Sequence, residues 1–389
     1  MKSVPCEIIA QQLIQFESIT PFEAGCFQYI ESLLTPSGFK CQVIQIEDVG
    51  NFYATYSQTI PPDKHIVFVG HVDVVPAINA SSWTYPPFAG EIHNDKLYGR
   101  GACDMKGAIA AFVSAVQEFI EDIEQEQPFT HQISILLTSD EEGDAINGIQ
   151  KMIPWLQEQN QKFDLCIVGE PTNPEILGQM IKIGRRGSVS FKLKIIGIAG
   201  HIAYPEKALN PLPAMTQCLY ELNHLILDNG NEYFQPSNLE ISSVDTNNPT
   251  GNIIPSTCEA KFNIRFNTEH TAEKLVDVIQ KTIRRSIEQT SQEYQWELTH
   301  SVSAHPFIIA DNPYLQTFAN IVQKVTHLTS QLSTSGGTSD ARFMHHLCPT
   351  LEFGLISDQA HKTDEYLFIR ELNKLKEIYK NFLNEFFKG

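Results

Sequence analysis

Positive charge is scarce in this chain. Lysine and arginine number 28 against 46 aspartates and glutamates, a formal net charge of −18. So acidic a surface disfavours nucleic acids and anionic membranes as partners. An anionic small molecule would have to be met by locally placed arginines. Long hydrophobic runs are missing too: no stretch approaches the ~18 apolar residues of a membrane span. The N-terminus has no signal-peptide pattern, because Glu7 and Glu17 interrupt it. Ile8, Ile9, Leu13 and Phe16 trace one face of an amphipathic helix instead. The eight cysteines, at 6, 26, 41, 103, 166, 218, 258 and 348, contain no CxxC spacing. That excludes a zinc ribbon and argues against a disulfide scaffold. Reduced, mostly buried thiols in a soluble cytoplasmic protein are the expectation. Repeats and low-complexity segments are absent as well.

What remains is ordinary globular composition in 389 residues, 42% of them hydrophobic. Chains beyond roughly 250–300 residues outgrow one core, so two domains are expected. The first half alternates buried-strand and helix signals. His65–Gly70 is a short apolar run ending in glycine, and residues 108–120 read as an alanine-rich helix. Residues 132–138 and 164–168 read as further buried strands. This texture predicts an α/β domain with a mixed, largely parallel sheet, whose sites form at the carboxyl ends of strands. The middle third alternates polar and apolar residues at 188–196, 239–244 and 259–266. It carries helical patterns at 212–227 and 272–287 and a last strand at 294–300. The β-α-β-β-α-β order predicts an inserted ferredoxin-like α+β layer. The expected boundaries are 1–184 and 299–389 for a discontinuous catalytic domain, and 185–298 for the insert.

Metal-competent residues recur where strands and turns end. They are His71 and Asp73 in Gly70-His71-Val72-Asp73, Asp104 in Gly99-Arg100-Gly101-Ala102-Cys103-Asp104-Met105-Lys106-Gly107, and Glu141 and Glu142 in Ser139-Asp140-Glu141-Glu142-Gly143. Glu170 and His361 follow. Zinc takes imidazole nitrogen and carboxylate oxygen, and catalytic sites leave a position for water. Paired ions ~3.5–4 Å apart share a bridging ligand. Any one of these residues alone is an ordinary loop-end charge; five segments together make a two-metal inventory. His71 and Asp73 lie two apart on an extended segment and point the same way. The Asp73 carboxylate can then orient the imidazole. Asp104, in a glycine-flanked loop, suits a bridge. Of Glu141 and Glu142, one can bind metal while the other faces the water as general base.

These segments, with Trp83, Pro87-Phe88 and Gly169-Glu170-Pro171-Thr172, resemble the M20 metallopeptidase/deacylase family over nearly the whole chain. The resemblance implies two zinc ions per subunit. His71, Asp104 and Glu170 would hold one, and Asp104, Glu142 and His361 the other. Glu141 would be the general base and Asp73 the partner of His71. Cobalt or manganese could replace zinc at one site, since such ligands accept several first-row metals.

Further segments resemble the branch of that family that hydrolyses N-succinyl-LL-2,6-diaminopimelate. They are Ile181-Lys182-Ile183-Gly184-Arg185-Arg186-Gly187-Ser188, Gly200-His201-Ile202-Ala203-Tyr204-Pro205, Asn252-Ile253-Ile254-Pro255 and Ser335-Gly336-Gly337-Thr338-Ser339-Asp340. Arg185, Arg186 and Arg265 carry forked guanidinium groups suited to the substrate's carboxylates. Ser188, Gly337 and Thr338 add hydroxyl and backbone donors. The resemblance implies that His201 reaches a partner subunit's active site to stabilise an oxyanion, with Asn252 also acting across the interface. The insert is thus expected to be a dimerisation and lid domain in a homodimer. An acetylornithine deacetylase, or another deacylase or dipeptidase of the family, is the alternative. A non-catalytic binding protein on the same scaffold would lack a ligand or the base. Two positions depart from the family's C-terminal pattern: Ser357 and Asp364 stand where asparagine is usual.

Overall fold

The computed structural model describes residues 3–123, 129–248, 250–290 and 292–388. They gather into two compact units. The first comprises Met1–Gly184, Ile309–Ser333 and Ser339–Gly389; the second, Arg185–Ile308 and Thr334–Thr338.

The first unit is built on an eight-stranded sheet. Its order is Lys40–Ile46, Val49–Ser57, Gln132–Thr138, His65–His71, Leu165–Val168, Thr350–Glu352, Met180–Lys182, Gln331–Ser333. Four central strands, from Gln132–Thr138 to Thr350–Glu352, run parallel. The pairs at Lys40–Ile46, Val49–Ser57 and Gln132–Thr138 are antiparallel, as is the single pairing of Glu352 with Lys182. Every residue of His65–His71 is buried, as a parallel strand covered on both faces requires. That explains its uninterrupted Ile-Val-Phe-Val run. The helix Gly107–Ile123 and the C-terminal helix Ile369–Lys388 pack on it. Phe68 stacks on Phe112 with ring centroids 4.3 Å apart and meets the edge of Tyr379 at 5.7 Å. Truncating one such buried ring costs about 3–5 kcal/mol. The hairpin 40–57 has no counterpart among the expected strands; the mostly solvated residues of its outer strand, Lys40–Ile46, give no apolar run.

The second unit is a four-stranded antiparallel sheet, ordered Asn238–Asp245, Thr257–Phe266, Gly187–Ile196, Gln295–Ala304. Val189, Phe191, Leu193 and Ile195 pack with Cys258, Ala260, Phe262 and Ile264 beneath the helices Pro211–Asn223 and Ala272–Glu288. Phe191 pairs with Phe262 in register, and the rings stack at 5.1 Å. The period of two in the sequence is therefore one face of this sheet turned to its helices. Asn210 accepts from Leu212 N at 3.1 Å and caps the first helix, a device worth about 1 kcal/mol. The boundary expected at 298/299 falls inside Gln295–Ala304. Because that strand pairs along its length with Gly187–Ile196, the second unit continues to Ile308.

Among the described residues no helix is long and apolar enough to cross a membrane. All eight cysteines are free thiols, and seven are buried.

Candidate metal centre

Parallel strands of the first unit end together, and their carboxyl ends carry the acidic and histidine residues. His71 closes the strand His65–His71, Glu141 and Glu142 follow Gln132–Thr138, and Glu170 follows Leu165–Val168. Close backbone approach fixes the last of these. A Cβ on Gly354 would lie 2.3 Å from the Gly169 carbonyl and 2.5 Å from that of Glu170. Asp104 sits in an irregular turn, with φ −124° and ψ 93°, before a cis peptide to Met105. His361 is in a left-handed conformation at φ +62°.

These side chains converge. His71 Nε2 lies 3.3 Å from Asp104 Oδ1 and 3.7 Å from Glu170 Oε1. His361 Nε2 lies 3.3 Å from Asp104 Oδ2 and 2.8 Å from Glu142 Oε1. Asp104 thus turns one oxygen to each imidazole, the disposition of a bridging ligand. Ligand atoms of His71, Asp104 and Glu142 fall within 4.8 Å of one another, and so do those of His71, Glu141 and Glu170. His71 Nε2 and Asp104 Oδ1 are buried without a hydrogen-bond partner. Buried polar atoms are normally satisfied, so these two fit a site made to hold cations. Nitrogen and carboxylate oxygen are the donor set of zinc and related first-row metals.

Asp73 plays a different part from the one expected. His71 Nδ1 donates to the main-chain carbonyl of Asp73 at 2.9 Å, while the nearest carboxylate oxygen is 3.7 Å away. That carboxylate is fully buried and accepts the backbone N–H groups of Glu141 and Glu142, at 3.2 and 3.1 Å. The imidazole is therefore oriented by the Asp73 carbonyl, and the glutamate pair by its side chain. Asp140 shapes the rest of that loop, accepting from Ala145, Ile146 and Asn147 N at 3.0–3.1 Å.

The electrostatics are those of crowded carboxylates. Burial pushes Glu141 up to about 8; His71 opposes this, and Asp340, Glu142 and Asp104 reinforce it. Burial, with Asp104 and Glu141, holds Glu170 well above its ordinary range. The hydrogen bonds His361 donates to Asp104 and Glu142 lift it to about 10. Asp104 goes the other way: burial is outweighed by its two histidine partners. Asp340, buried and with neither oxygen hydrogen-bonded, is pushed up to about 7, chiefly by burial.

The other expected residues lie in the second unit. His201 pairs with Ile253 on a short two-stranded ribbon, beside exposed Asn252, whose carbonyl accepts from Ile202 N at 3.1 Å. His201 Nδ1 accepts from Ala203 N at 3.0 Å, which leaves Nε2 as the protonated nitrogen of the neutral ring. Arg185 Nη1 donates to the Ser335 carbonyl at 3.3 Å and fills the space a Cβ on Gly336 would need; Gly336 has φ +105°. Arg186 donates to Asn238 Oδ1 at 2.8 Å. Burial lowers its basicity and the charge of Arg265 lowers it further, so the two guanidinium groups share one neighbourhood. Ser188 is opposite Arg265 in register and accepts from Asn263 Nδ2 at 3.1 Å. Gly337 is exposed and Thr338 half-buried.

Sequence reasoning passed over Asp140, Asp340, Arg100 and Glu365. Each is a charged residue inside a glycine-rich or ligand-bearing motif, which was the available signal. Of the two departures, Asp364 accepts both the N–H and the hydroxyl of Thr84 at 2.7 Å. Ser357 donates to the Asn173 carbonyl through N at 2.7 Å and Oγ at 3.2 Å, and its own carbonyl accepts from Ala360 N at 3.0 Å.

A carboxylate and imidazole cluster at the carboxyl ends of a parallel sheet, with one aspartate between two histidines, defines a metal-dependent hydrolase. The family model Peptidase family M20/M25/M40 matches residues 67–385, and the chain belongs to that family. Curated relatives include "Succinyl-diaminopimelate desuccinylase" of Rickettsia bellii (strain RML369-C), 46% identical over 96% of this chain and 95% of that protein. A protein of the same name from Pelagibacter ubique (strain HTCC1062) is 42% identical over 97% and 98%. Among solved structures, aminopeptidase PepT from Bacillus cereus ATCC 10987 shares the fold at TM-score 0.79 and 18% identity, covering 98% of each chain. The YXEP protein of Bacillus subtilis, described as a dinuclear metal-binding peptidase of family M20, matches at TM-score 0.73 and 13% identity over 98% and 97%.

Proposed function

We propose that this protein is a di-zinc amidohydrolase that cleaves N-succinyl-LL-2,6-diaminopimelate to succinate and LL-2,6-diaminopimelate. The observation that carries the reading is the convergence of His71, Asp104, Glu141, Glu142 and Glu170 in a chain 46% identical, over 96% of its length, to a protein named for that reaction. His71, Asp104 and Glu170 would hold one ion, and Asp104, Glu142 and His361 the other. Ions bound there would lower the pKa of water toward ~7 and polarise the amide carbonyl. Glu141, whose carboxylate lies with His71 and Glu170, takes the proton of the attacking water. It returns that proton to the leaving amine as the C–N bond breaks. Arg186 and Arg265 offer paired guanidinium groups to the substrate's carboxylates.

In this reading the chain works as a homodimer. The second unit supplies the dimer contact and closes over substrate, and its exposed His201 donates Nε2–H to the oxyanion in the partner's site, next to Asn252. A lost donor of this kind costs ~10²–10³ in turnover. Mixing the inactive variants Glu141→Gln and His201→Ala restores activity, because one site of the hybrid dimer is intact; at random pairing this is roughly a quarter of wild type. No recovery on mixing would remove the shared-site reading.

The deciding experiment is metal analysis joined to turnover of succinyl-diaminopimelate and of N-acetylornithine, after chelation and zinc reconstitution. The proposal requires the succinyl substrate to have the higher kcat/KM. Preference for acetylornithine would overturn it in favour of the deacetylase.

A further inference from the structure

Glu365 is fully buried, between the segment that carries Asp104 and the one that carries His361. Its Oε1 accepts the backbone N–H groups of Cys103 at 3.0 Å and Asp104 at 3.3 Å, and the Cys103 thiol at 3.4 Å. Its Oε2 accepts Gly101 N at 3.1 Å and Arg100 Nη1 at 2.7 Å. Its own carbonyl accepts Gly99 N at 2.9 Å. The Arg100 guanidinium then reaches the carbonyls of Lys362 and His361, both at 3.4 Å, and lies 5.2 Å from the Trp83 ring.

This wiring has a specific consequence. Neither ligand sits in regular structure: Gly101 is left-handed at φ +83°, Asp104 is non-helical and His361 is left-handed. Their backbones have few ladder bonds to hold them, so the Glu365 carboxylate and its arginine set how far Asp104 stands from His361. A carboxylate is required because both oxygens accept. An amide would turn NH₂ toward backbone N–H donors and leave buried groups unsatisfied.

We infer that Glu365, paired with Arg100, is a positioning residue that fixes the spacing of Asp104 and His361 and so the affinity of the ion they share. The inference rests on the reading of His71, Asp104, Glu142, Glu170 and His361 as ligands. Neither Glu365 nor Arg100 belongs to that set.

The test is zinc binding to metal-free protein, measured by competition with a chromophoric chelator, for wild type, Glu365→Gln and Arg100→Lys. Circular dichroism and thermal midpoints are recorded alongside. Loss of an outer partner typically weakens metal binding ~10–100-fold. Glu365→Gln is expected to weaken binding of the zinc shared by Asp104 and His361 by that factor while remaining folded. Arg100→Lys loses less in the same direction, since one ammonium cannot reach Glu365 and two carbonyls together. A purely structural role would lower the thermal midpoint and leave the zinc affinity of the folded protein unchanged; that result overturns the inference. If Glu365→Gln does not fold, Arg100→Lys decides alone, with weakened zinc supporting the inference and unchanged zinc overturning it. Wild type that binds no zinc would instead remove the ligand reading beneath it.

Discussion

The carboxylate of Asp73 accepts the backbone N–H of Glu142 at 3.1 Å, so a residue two positions from one proposed ligand holds the loop that carries another. The side chains of Glu141 and Glu142 are then free to diverge, Glu142 toward His361 and Glu141 toward His71 and Glu170. In the proposed mechanism this division separates ligand from base.

Glu141→Gln keeps the shape of the site and removes the proton acceptor. Turnover is expected to fall ~10²–10⁴-fold, the usual contribution of a general base, while zinc content stays at the wild-type level. Full activity in this variant would sink the mechanism.

Metal binding is expected to expel protons. In the metal-free site His361 is lifted to about 10 by its bonds to Asp104 and Glu142. His71 is also held well above its ordinary value, its acidic partners outweighing burial. Both must lose a proton to bind metal, so affinity rises with pH through the neutral range. Calorimetric titration at pH 7 in two buffers of different ionisation enthalpy measures the release; identical heats would contradict it.

Gly354→Ala places a Cβ against the carbonyls of Gly169 and Glu170. Backbone has to move, so a loss of about 1–3 kcal/mol is expected, with weaker zinc binding through Glu170. Gly251→Ala, where a Cβ meets nothing within 4 Å, is the control. Urea unfolding with and without zinc separates the two effects.

His65 ties stability to pH outside the metal site. Its Nδ1 donates to the Lys162 carbonyl at 2.8 Å and its Nε2 accepts from Ser134 Oγ at 2.7 Å. Burial lowers its pKa to about 4. The unfolded histidine takes a proton near pH 6.5 and the folded one only near 4. Stability is therefore lost as pH falls through that window, by about 3 kcal/mol at its lower end. Comparing urea midpoints of metal-free wild type and His65→Gln at pH 7 and pH 4.5 checks this. The variant should be less stable at pH 7 but lose less on acidification.

Much of the site was legible because its residues lie on short motifs whose spacing survives in the sequence. His71 and Glu170 end apolar runs, and Glu141-Glu142 follow one, which fixes them at carboxyl ends. The roles of Asp73, Arg100 and Glu365 were not legible, because they depend on which backbone groups a side chain meets. Glu365 lies 261 positions from Asp104, and no local pattern encodes that bond. Lys40–Ile46, the outer strand of the hairpin 40–57, escaped for another reason: a solvated edge strand has no apolar signature.

The sequence by itself determined the chemistry available: the metal-competent residue types, the carboxylate proposed as base, the alternating strands of the second unit and the arginines placed in an otherwise acidic chain. Only the tertiary structure decided the assignment of tasks. It set one oxygen of Asp104 before each of two histidines, gave the orientation of His71 to a main-chain carbonyl, and committed the Asp73 carboxylate to the glutamate loop. The physical reason is that residue type fixes what a group can donate or accept, while burial and the approach of distant backbone fix with whom it does so.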